Sequence, residues 1–300
     1  MNIAHTVPSK AERAGAFRSA DWAGRTAIHE AIAAHKAEAM EMRRELGRRY
    51  LAQHAAVHHV PFEKAVTVLD LRDETAAARA EAIRLTDGRE AQVNNGALEF
   101  PVLGKHFAAD SPSLKLMTSP LIMAPLVRYF GMIPVLFNMF VTRAHTTEIL
   151  TNTAHLFHLD PEDIISFKVF VHLTDVDDGC GPFHALPADL TQEVLRRVDY
   201  RGIGRIPDEE IERMVGWDQV VKVTGPAGTV ALADTTRCLH FGGRPREAGK
   251  PVRDMLVAQY LLPTSFLFPI DGDGPMPRFL PALEANGDDM WDALIGAKWT

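Results

Sequence analysis

The most regular hydrophobic pattern in the chain follows Asp163, where two sets of residues alternate along IISFKVFVHLTDV. One set comprises Phe167, Val169, Val171 and Leu173, and the other comprises Lys168, Phe170, His172 and Thr174. A period of two in a run rich in β-branched and aromatic residues is typical of a β-strand. The pattern therefore predicts a strand whose two faces meet different surroundings.

Three further apolar runs predict strands in the second half of the chain. The runs 219–223 and 229–233 flank the turn sequence Gly-Pro-Ala-Gly at 225–228, which predicts a hairpin between them. The run 252–262 predicts a long strand that ends before Pro263. Together these strands predict an α+β protein with a mainly β core, built as a sandwich or barrel with helices before and within it.

Helix-forming residues dominate two other regions. Residues 21–59 are rich in Ala, Glu and Arg and lack proline, so they predict one long helix or two shorter ones. The charged stretch at about 188–215 predicts a helical insertion among the strands. Residues 66–103 predict another helix followed by irregular or hairpin structure. The histidines of the first region are interpreted as lying on solvated helix faces: His29, His35, His54, His58 and His59.

One apolar stretch, Leu121–Val141, has about the length needed to cross a membrane. It contains two prolines, a glycine and Arg128, and an arginine near mid-membrane costs about 2.5 to 3.5 kcal/mol on insertion scales. Proline and glycine also stand where a turn between a helix and a strand would fall. We therefore expect a buried helix followed by a strand, and no membrane span.

Composition narrows the classes of function. The chain has 300 residues, of which 46% are hydrophobic, so a substantial core is expected. A formal net charge of -7 without a basic cluster argues against nucleic acid as a partner. Two cysteines are too few for a disulfide scaffold, and residues 1–14 contain no apolar segment typical of a secretory signal. We expect a cytoplasmic protein.

Candidate metal ligands lie just before the first predicted strand. His158 and Asp160 are two residues apart, so in an extended segment their side chains leave the same face. A distant histidine would complete two imidazoles and one carboxylate, the set that holds non-haem iron(II) and leaves coordination positions open. His-x-Asp alone is a weak motif, and on its own it predicts two surface residues more often than a metal site.

Three blocks of the sequence resemble the phytanoyl-CoA dioxygenase family: AHLFHLDPEDIISFKVFVHLTDVDDGCGPF, GPAGTVALADTTRCLHFGGRP and KPVRDMLVAQYLLP. They occur in the family's order, within about residues 120–263. The family's Pro-Gly-Ser-His turn is replaced here by Leu-Pro-Ala-Asp at 186–189, and Phe241 stands where the family often has arginine. Residues 1 to about 115 match nothing in the family.

The resemblance implies a fold and a chemistry. It implies a single domain, 1–300, with a helical N-terminal scaffold at 1–118 and a C-terminal extension at 266–300. The catalytic core, 119–265, would be a double-stranded β-helix of the jelly-roll or cupin type. The activity implied is an Fe(II)- and 2-oxoglutarate-dependent dioxygenase that uses O2 to hydroxylate or otherwise oxidise an unactivated C–H bond of a small organic substrate, with release of succinate and CO2.

The same resemblance assigns roles to residues. His158, Asp160 and His240 would be the iron ligands, and Arg253 would bind the far carboxylate of 2-oxoglutarate. Arg244 and Arg246 remain rivals for that last role, because the spacing from His240 to Arg253 is longer than usual. The predicted substrate residues, just upstream of the ligand segment, are Arg143 and His145.

Two other classes of function stay open. The first is an acyltransferase, because His155 and Asp160 match its His-x-x-x-x-Asp motif. Such enzymes also have a downstream Pro-Glu-Gly-Thr block, and this chain has only Pro-Ala-Gly-Thr, at 226–229. A non-catalytic binding protein on the same fold is the second alternative, since a fold alone does not establish activity.

Overall fold

A seven-stranded antiparallel sheet and a three-stranded antiparallel sheet form the centre of the protein. The computed structural model describes residues 8–17, 22–55, 58–94, 98–145, 155–198, 200, 204–242, 244, 251–270 and 279–297. The strands are β1 (Val66–Asp70), β2 (Gln92–Asn94), β3 (Leu98–Val102), β4 (Val135–His145), β5 (Ser166–His172), β6 (Phe183–Ala185), β7 (Val221–Val223), β8 (Thr229–Asp234), β9 (His240–Phe241) and β10 (Pro251–Leu261).

Helices surround these sheets before, between and after the strands. They are α1 (Lys10–Phe17), α2 (Trp22–His35), α3 (Ala37–Gln53), α4 (Ala76–Thr86), α5 (Pro112–Met117), α6 (Pro120–Phe130), α7 (Ala188–Val198), α8 (Asp208–Val215) and α9 (Asp289–Leu294). The larger sheet has the order β1-β8-β5-β10-β4-β3-β2, and the smaller one has the order β7-β6-β9. The chain is thus a mixed α and β protein with a mainly antiparallel β core, as the sequence predicted at that level.

Strand β5 uses its two faces as the alternation predicted. Phe167 is buried on one face, where its ring makes an edge contact with Tyr129 of α6 at a centroid distance of 4.8 Å. Lys168 and Phe170 lie on the other face and line a cavity between the two sheets. Strand β10 pairs with β5 on one side and β4 on the other, so the centre of the sheet is fixed by two ladders.

Several predicted elements are confirmed. The apolar stretch 121–141 forms α6 and most of β4, and within the described residues no helix is both long and apolar enough to cross a membrane. The insertion at 188–215 contains α7 and α8, and the region 66–103 contains α4 followed by the hairpin β2–β3. Strand β1, which pairs with β8 at the sheet edge, was not predicted.

The predicted hairpin between β7 and β8 is wrong. Strand β7 pairs with β6 in the small sheet, whereas β8 pairs with β1 and β5 in the large one. The turn between them has positive φ at Gly225 (145°) and Gly228 (100°). A Cβ at Gly228 would lie 2.6 Å from Cα of Arg72, so only glycine allows this close passage. The glycine turn therefore carries the chain from one sheet to the other.

The N-terminal helices pack directly against the β core. Arg43 of α3 is fully buried, and its guanidinium donates hydrogen bonds to the carbonyl oxygens of Ile133 (3.0 Å) and Ala293 (2.7 Å). The interpretation of His29 as a solvated residue is wrong. It is buried in α2, with Nε2 2.6 Å from Asp163 Oδ1 and Nδ1 2.7 Å from Thr264 Oγ1.

Candidate active site

A cavity of about 350 Å³ opens between the two sheets. Its apolar walls come from strands of both sheets, and two of the lining residues, Phe170 on β5 and Phe183 on β6, stack on each other with ring centroids 4.5 Å apart. The other apolar lining side chains include Leu98, Phe140, Met255 and Val257. Its polar side chains come from the strands, from the segment that precedes β5 and from the insertion at 188–215. This arrangement places a few polar groups inside a largely apolar pocket, as is usual for sites that bind small molecules.

The three predicted metal ligands meet at this cavity. His158 and His240 form a two-way backbone bridge, with N···O distances of 3.1 and 3.0 Å, and the backbone N–H of Asp160 donates to Thr235 O at 2.9 Å. Asp160 Oδ1 lies 3.9 Å from His158 Nε2, and Asp160 Oδ2 lies 3.7 Å from His240 Nε2. One ligand atom from each residue falls within 4.8 Å of the other two. The short extended segment and β9 therefore bring together residues 82 positions apart.

Hydrogen bonds to backbone carbonyls fix the orientation of both imidazoles. His158 Nδ1 lies 2.8 Å from Leu156 O, and His240 Nδ1 lies 3.0 Å from Cys238 O. Since a carbonyl only accepts, each Nδ1 carries the proton and each Nε2 presents a lone pair towards Asp160. Burial lowers the pKa of His158 and lowers that of His240 to about 3. Both rings are therefore neutral at pH 7, which is the form that binds metals.

Asp160 is an ionised carboxylate in contact with a buried lysine. Burial alone raises the pKa of Asp160, but the ammonium of Lys168 holds it below its ordinary value. Lys168 Nζ lies 2.5 Å from Asp160 Oδ2. Glu162 differs from Asp160, because burial, reinforced by the charge of Asp160, raises its pKa to about 7. Asp160 is thus the carboxylate that is charged at neutral pH.

Arg253 is a second polar feature of the cavity. Its side chain is 3% exposed, and its Nε and Nη1 atoms have no hydrogen-bond partner among the described residues. Burial lowers its pKa to about 10, so the guanidinium is still charged at neutral pH. The fully buried His172 lies beside it and has a pKa of about 4, lowered by burial and then by the charge of Arg253. A buried cation with free donors is arranged to receive an anion.

The rival arginines are placed differently. Arg244 donates to Asp208 through both terminal nitrogens and to the carbonyl oxygen of His155 through Nε. Its guanidinium also stacks over Phe241 at 3.6 Å, on a side pocket next to the site. Arg246 lies outside the described residues.

The two predicted substrate residues lie near the end of β4. Arg143 forms an ion pair with Asp254 at 2.7 Å, and the cavity wall next to it is formed by Thr142 instead. His145 pairs through its backbone with Pro251, and nothing is described of its side chain. A role for either in substrate binding stays a prediction.

Two charged lining residues were missed by the sequence analysis, namely Lys168 and Arg205. Lys168 was visible as one member of an alternating strand, in phase with Phe170 and eight residues after Asp160. The alternation separates the two faces but does not say which of them meets the cavity. Arg205 comes from the insertion, where no periodic pattern marks a residue as part of the site.

Comparison with known proteins gives likeness in structure only. No family model and no curated protein matches the chain. The chain is similar to the non-heme alpha ketoglutarate dependent epimerase SnoN from nogalamycin biosynthesis, at 21% identity over 78% of this chain and 92% of that one, with a TM-score of 0.47. It is also similar to EctD from S. alaskensis, at 17% identity over 76% of this chain and 79% of that one, with a TM-score of 0.46. HygX from Streptomyces hygroscopicus is 15% identical over 67% of this chain and 84% of that one, with a TM-score of 0.41. At these identities, function has to be inferred from the side chains of the site.

Proposed function

We propose that this protein is a non-haem iron(II) enzyme that uses 2-oxoglutarate and O2 to oxidise a small organic substrate. The observation that carries the proposal is the combination of a two-histidine, one-aspartate cluster with a buried, partly unpaired arginine in one cavity. Two neutral imidazoles and one ionised carboxylate suit iron(II) and leave positions open for other ligands. The unpaired guanidinium suits the second carboxylate of a dicarboxylic acid.

Each part of the site has a separate task in this proposal. His158, Asp160 and His240 would hold the iron, and the carbonyls that bind the two Nδ1 atoms would keep the imidazoles oriented. Arg253 would bind the far carboxylate of 2-oxoglutarate. The bound iron and cosubstrate would supply the oxidising chemistry, with succinate and CO2 as products. The apolar walls around Phe170 and Phe183 would hold the substrate and exclude bulk water.

Finer assignments belong to the same proposal. We assign the chain to the phytanoyl-CoA dioxygenase-like enzymes and its core, 119–265, to the double-stranded β-helix fold. Two antiparallel sheets with the three proposed ligands in a cavity between them are compatible with that fold. We also propose hydroxylation as the reaction and the cytoplasm as the location, the latter from the low cysteine content.

The site disfavours the acyltransferase alternative. In that mechanism Asp160 would orient His155 as a general base. The Asp160 carboxylate instead lies against His158, His240 and Lys168. The Pro-Ala-Gly-Thr segment at 226–229 forms the crossing between the sheets, where Gly228 packs on Arg72. A binding protein on the same site remains the second candidate, and only turnover separates it from an enzyme.

The test begins with metal content and binding of the cosubstrate. Wild-type protein should take up one Fe(II) per chain without oxygen and then bind 2-oxoglutarate. His158→Ala, Asp160→Ala and His240→Ala should each lose the metal while remaining folded, because each removes one of three protein ligands. His54→Ala, outside the cluster, is the matched control and should behave as wild type.

Activity is then measured as succinate released in the presence of O2 and a panel of small molecules. Succinate release that depends on all three ligands would support an enzyme. Normal metal content in any one of the three alanine variants would remove that residue from the site. Tight binding of iron and 2-oxoglutarate without succinate under any condition would favour the binding protein.

A further inference from the structure

Lys168 is a buried cation in direct contact with the carboxylate of the ligand cluster. Its side chain is 15% exposed, and its Nζ lies 2.5 Å from Oδ2 of Asp160. It projects from the middle of the large sheet, where its backbone faces Ala233 on β8 and Gln259 on β10. Two ladders therefore fix the base of the side chain, and the ammonium reaches Asp160 from a rigid support.

Asp160 is consequently shared among three neighbours. Oδ1 lies 3.9 Å from His158 Nε2, while Oδ2 lies 3.7 Å from His240 Nε2 and also accepts the hydrogen bond from Lys168. A carboxylate has about four lone-pair directions on its two oxygens, so it can receive the ammonium and a metal ion at once. Such sharing draws electron density from the carboxylate and leaves it a weaker metal ligand.

The charges that face the cavity reinforce this effect. Its lining includes three cationic side chains, Lys168, Arg205 and Arg253, and one ionised carboxylate, Asp160. An ammonium close to the cluster repels a divalent cation and attracts a dianion, and both effects are strong where water is scarce. The two binding steps should therefore respond to Lys168 in opposite directions.

We propose that Lys168 is a positioning residue that shares Asp160 with the metal and shifts the site's binding strength from the metal to the anionic cosubstrate. This inference rests on the proposed function. In the wild-type site the metal binds more weakly than the three ligands alone would allow. The 2-oxo acid binds more tightly, because the ammonium adds positive charge next to the metal.

The experiment uses Co(II) alone as the metal probe, followed by 2-oxoglutarate added to the Co(II)-loaded protein. Calorimetry gives both affinities, and the visible spectrum of Co(II) reports its coordination. Lys168→Met and Lys168→Gln should bind Co(II) about tenfold more tightly and 2-oxoglutarate about tenfold more weakly. Lys168→Arg keeps the charge and should restore cosubstrate binding. Lys64→Met removes an exposed lysine paired with Asp189, so it controls for net charge.

Opposite signs for the two ligands are the decisive result, since a merely damaged site would bind both more weakly. Two neutral variants that bind Co(II) and 2-oxoglutarate with wild-type affinity, or that lose both together, would overturn the role given to Lys168. Wild-type protein that binds neither Co(II) nor 2-oxoglutarate would instead refute the proposed function, and this inference with it. The Lys168 variants therefore test the role of this residue, and the wild-type protein tests the proposed function.

Discussion

Replacing Arg253 with alanine should weaken 2-oxoglutarate binding by at least two orders of magnitude and leave metal binding nearly unchanged. The side chain is 3% exposed, and Nε and Nη1 lack partners within the described chain. A carboxylate placed there would receive a charge-assisted fork from the guanidinium. The three proposed metal ligands lie elsewhere in the cavity, so the metal affinity should be kept.

The size of the effect follows from burial. Burial lowers the pKa of Arg253 from 12.5 to about 10, which corresponds to roughly 3 kcal/mol of cost for the buried charge. A bound carboxylate offsets that cost. Removing one partner of a buried ion pair typically costs about 3 to 5 kcal/mol, equivalent to a loss of roughly 100- to 5,000-fold in affinity. Without 2-oxoglutarate, replacing Arg253 should stabilise the protein. Arg253→Met removes a buried charge that no anion compensates, so it should raise the free energy of unfolding.

The assay is calorimetric titration of 2-oxoglutarate into Ni(II)-loaded protein, which binds without turning over. Arg253→Lys should recover only part of the affinity, because an ammonium lacks the planar fork of the guanidinium. Arg244→Ala is the control, since Arg244 is already paired with Asp208. A loss of affinity larger in Arg244→Ala than in Arg253→Ala would show that the assignment is wrong.

Three further predictions concern stability. His29→Leu should lower the free energy of unfolding by about 2 to 4 kcal/mol in urea titrations, because two buried polar partners lose their bonds; an unchanged midpoint would contradict this. Gly228→Ala should cost about 2 kcal/mol more than Gly88→Ala, since a Cβ at 228 meets Arg72 at 2.6 Å and one at 88 meets nothing within 4 Å. Burial lowers the pKa of His184 from 6.5 to about 4. Between pH 6.5 and pH 4 the unfolded chain therefore protonates this imidazole while the folded chain does not, so the free energy of unfolding falls as the pH drops through that range. His184→Phe should make the free energy of unfolding less dependent on pH in this range, by up to about 1.4 kcal/mol per pH unit. The same pH dependence in the variant and the wild type would show that the pKa of His184 is not lowered in the folded protein.

The sequence offered His158 and Asp160 as candidate metal ligands because they are two residues apart, and the resemblance to a known family assigned them that role. The third, His240, was placed through resemblance, and the structure brings its ligand atom within 4.8 Å of the others. The main strands were predictable because runs of β-branched and aromatic residues favour strands whether one or both faces are buried. The role of each residue remains a prediction, although the three ligands do lie together.

Other features depended on contacts that no local pattern records. The hairpin prediction failed because a Gly-Pro-Ala-Gly turn suits a hairpin and a crossing between sheets equally well, and packing against Arg72 decided between them. Lys168 escaped notice because the identity of the inner face depends on the fold. His29 was assigned to solvent because its partners, Asp163 and Thr264, lie 134 and 235 residues further along the chain.

Those distant partners show why the N-terminal helices matter to the site. The segment after Asp160 is irregular, so its backbone carbonyls have no ladder partners and must be satisfied in another way. Arg25 of α2 donates to the carbonyl oxygens of Pro161 (2.9 Å) and Asp163 (2.5 Å), and His29 binds the Asp163 side chain. Because Pro161 follows Asp160 directly, these hydrogen bonds hold the backbone next to the carboxylate that the metal and Lys168 would share. Residues of α2 therefore support the candidate site, although the N-terminal region carries no recognisable motif.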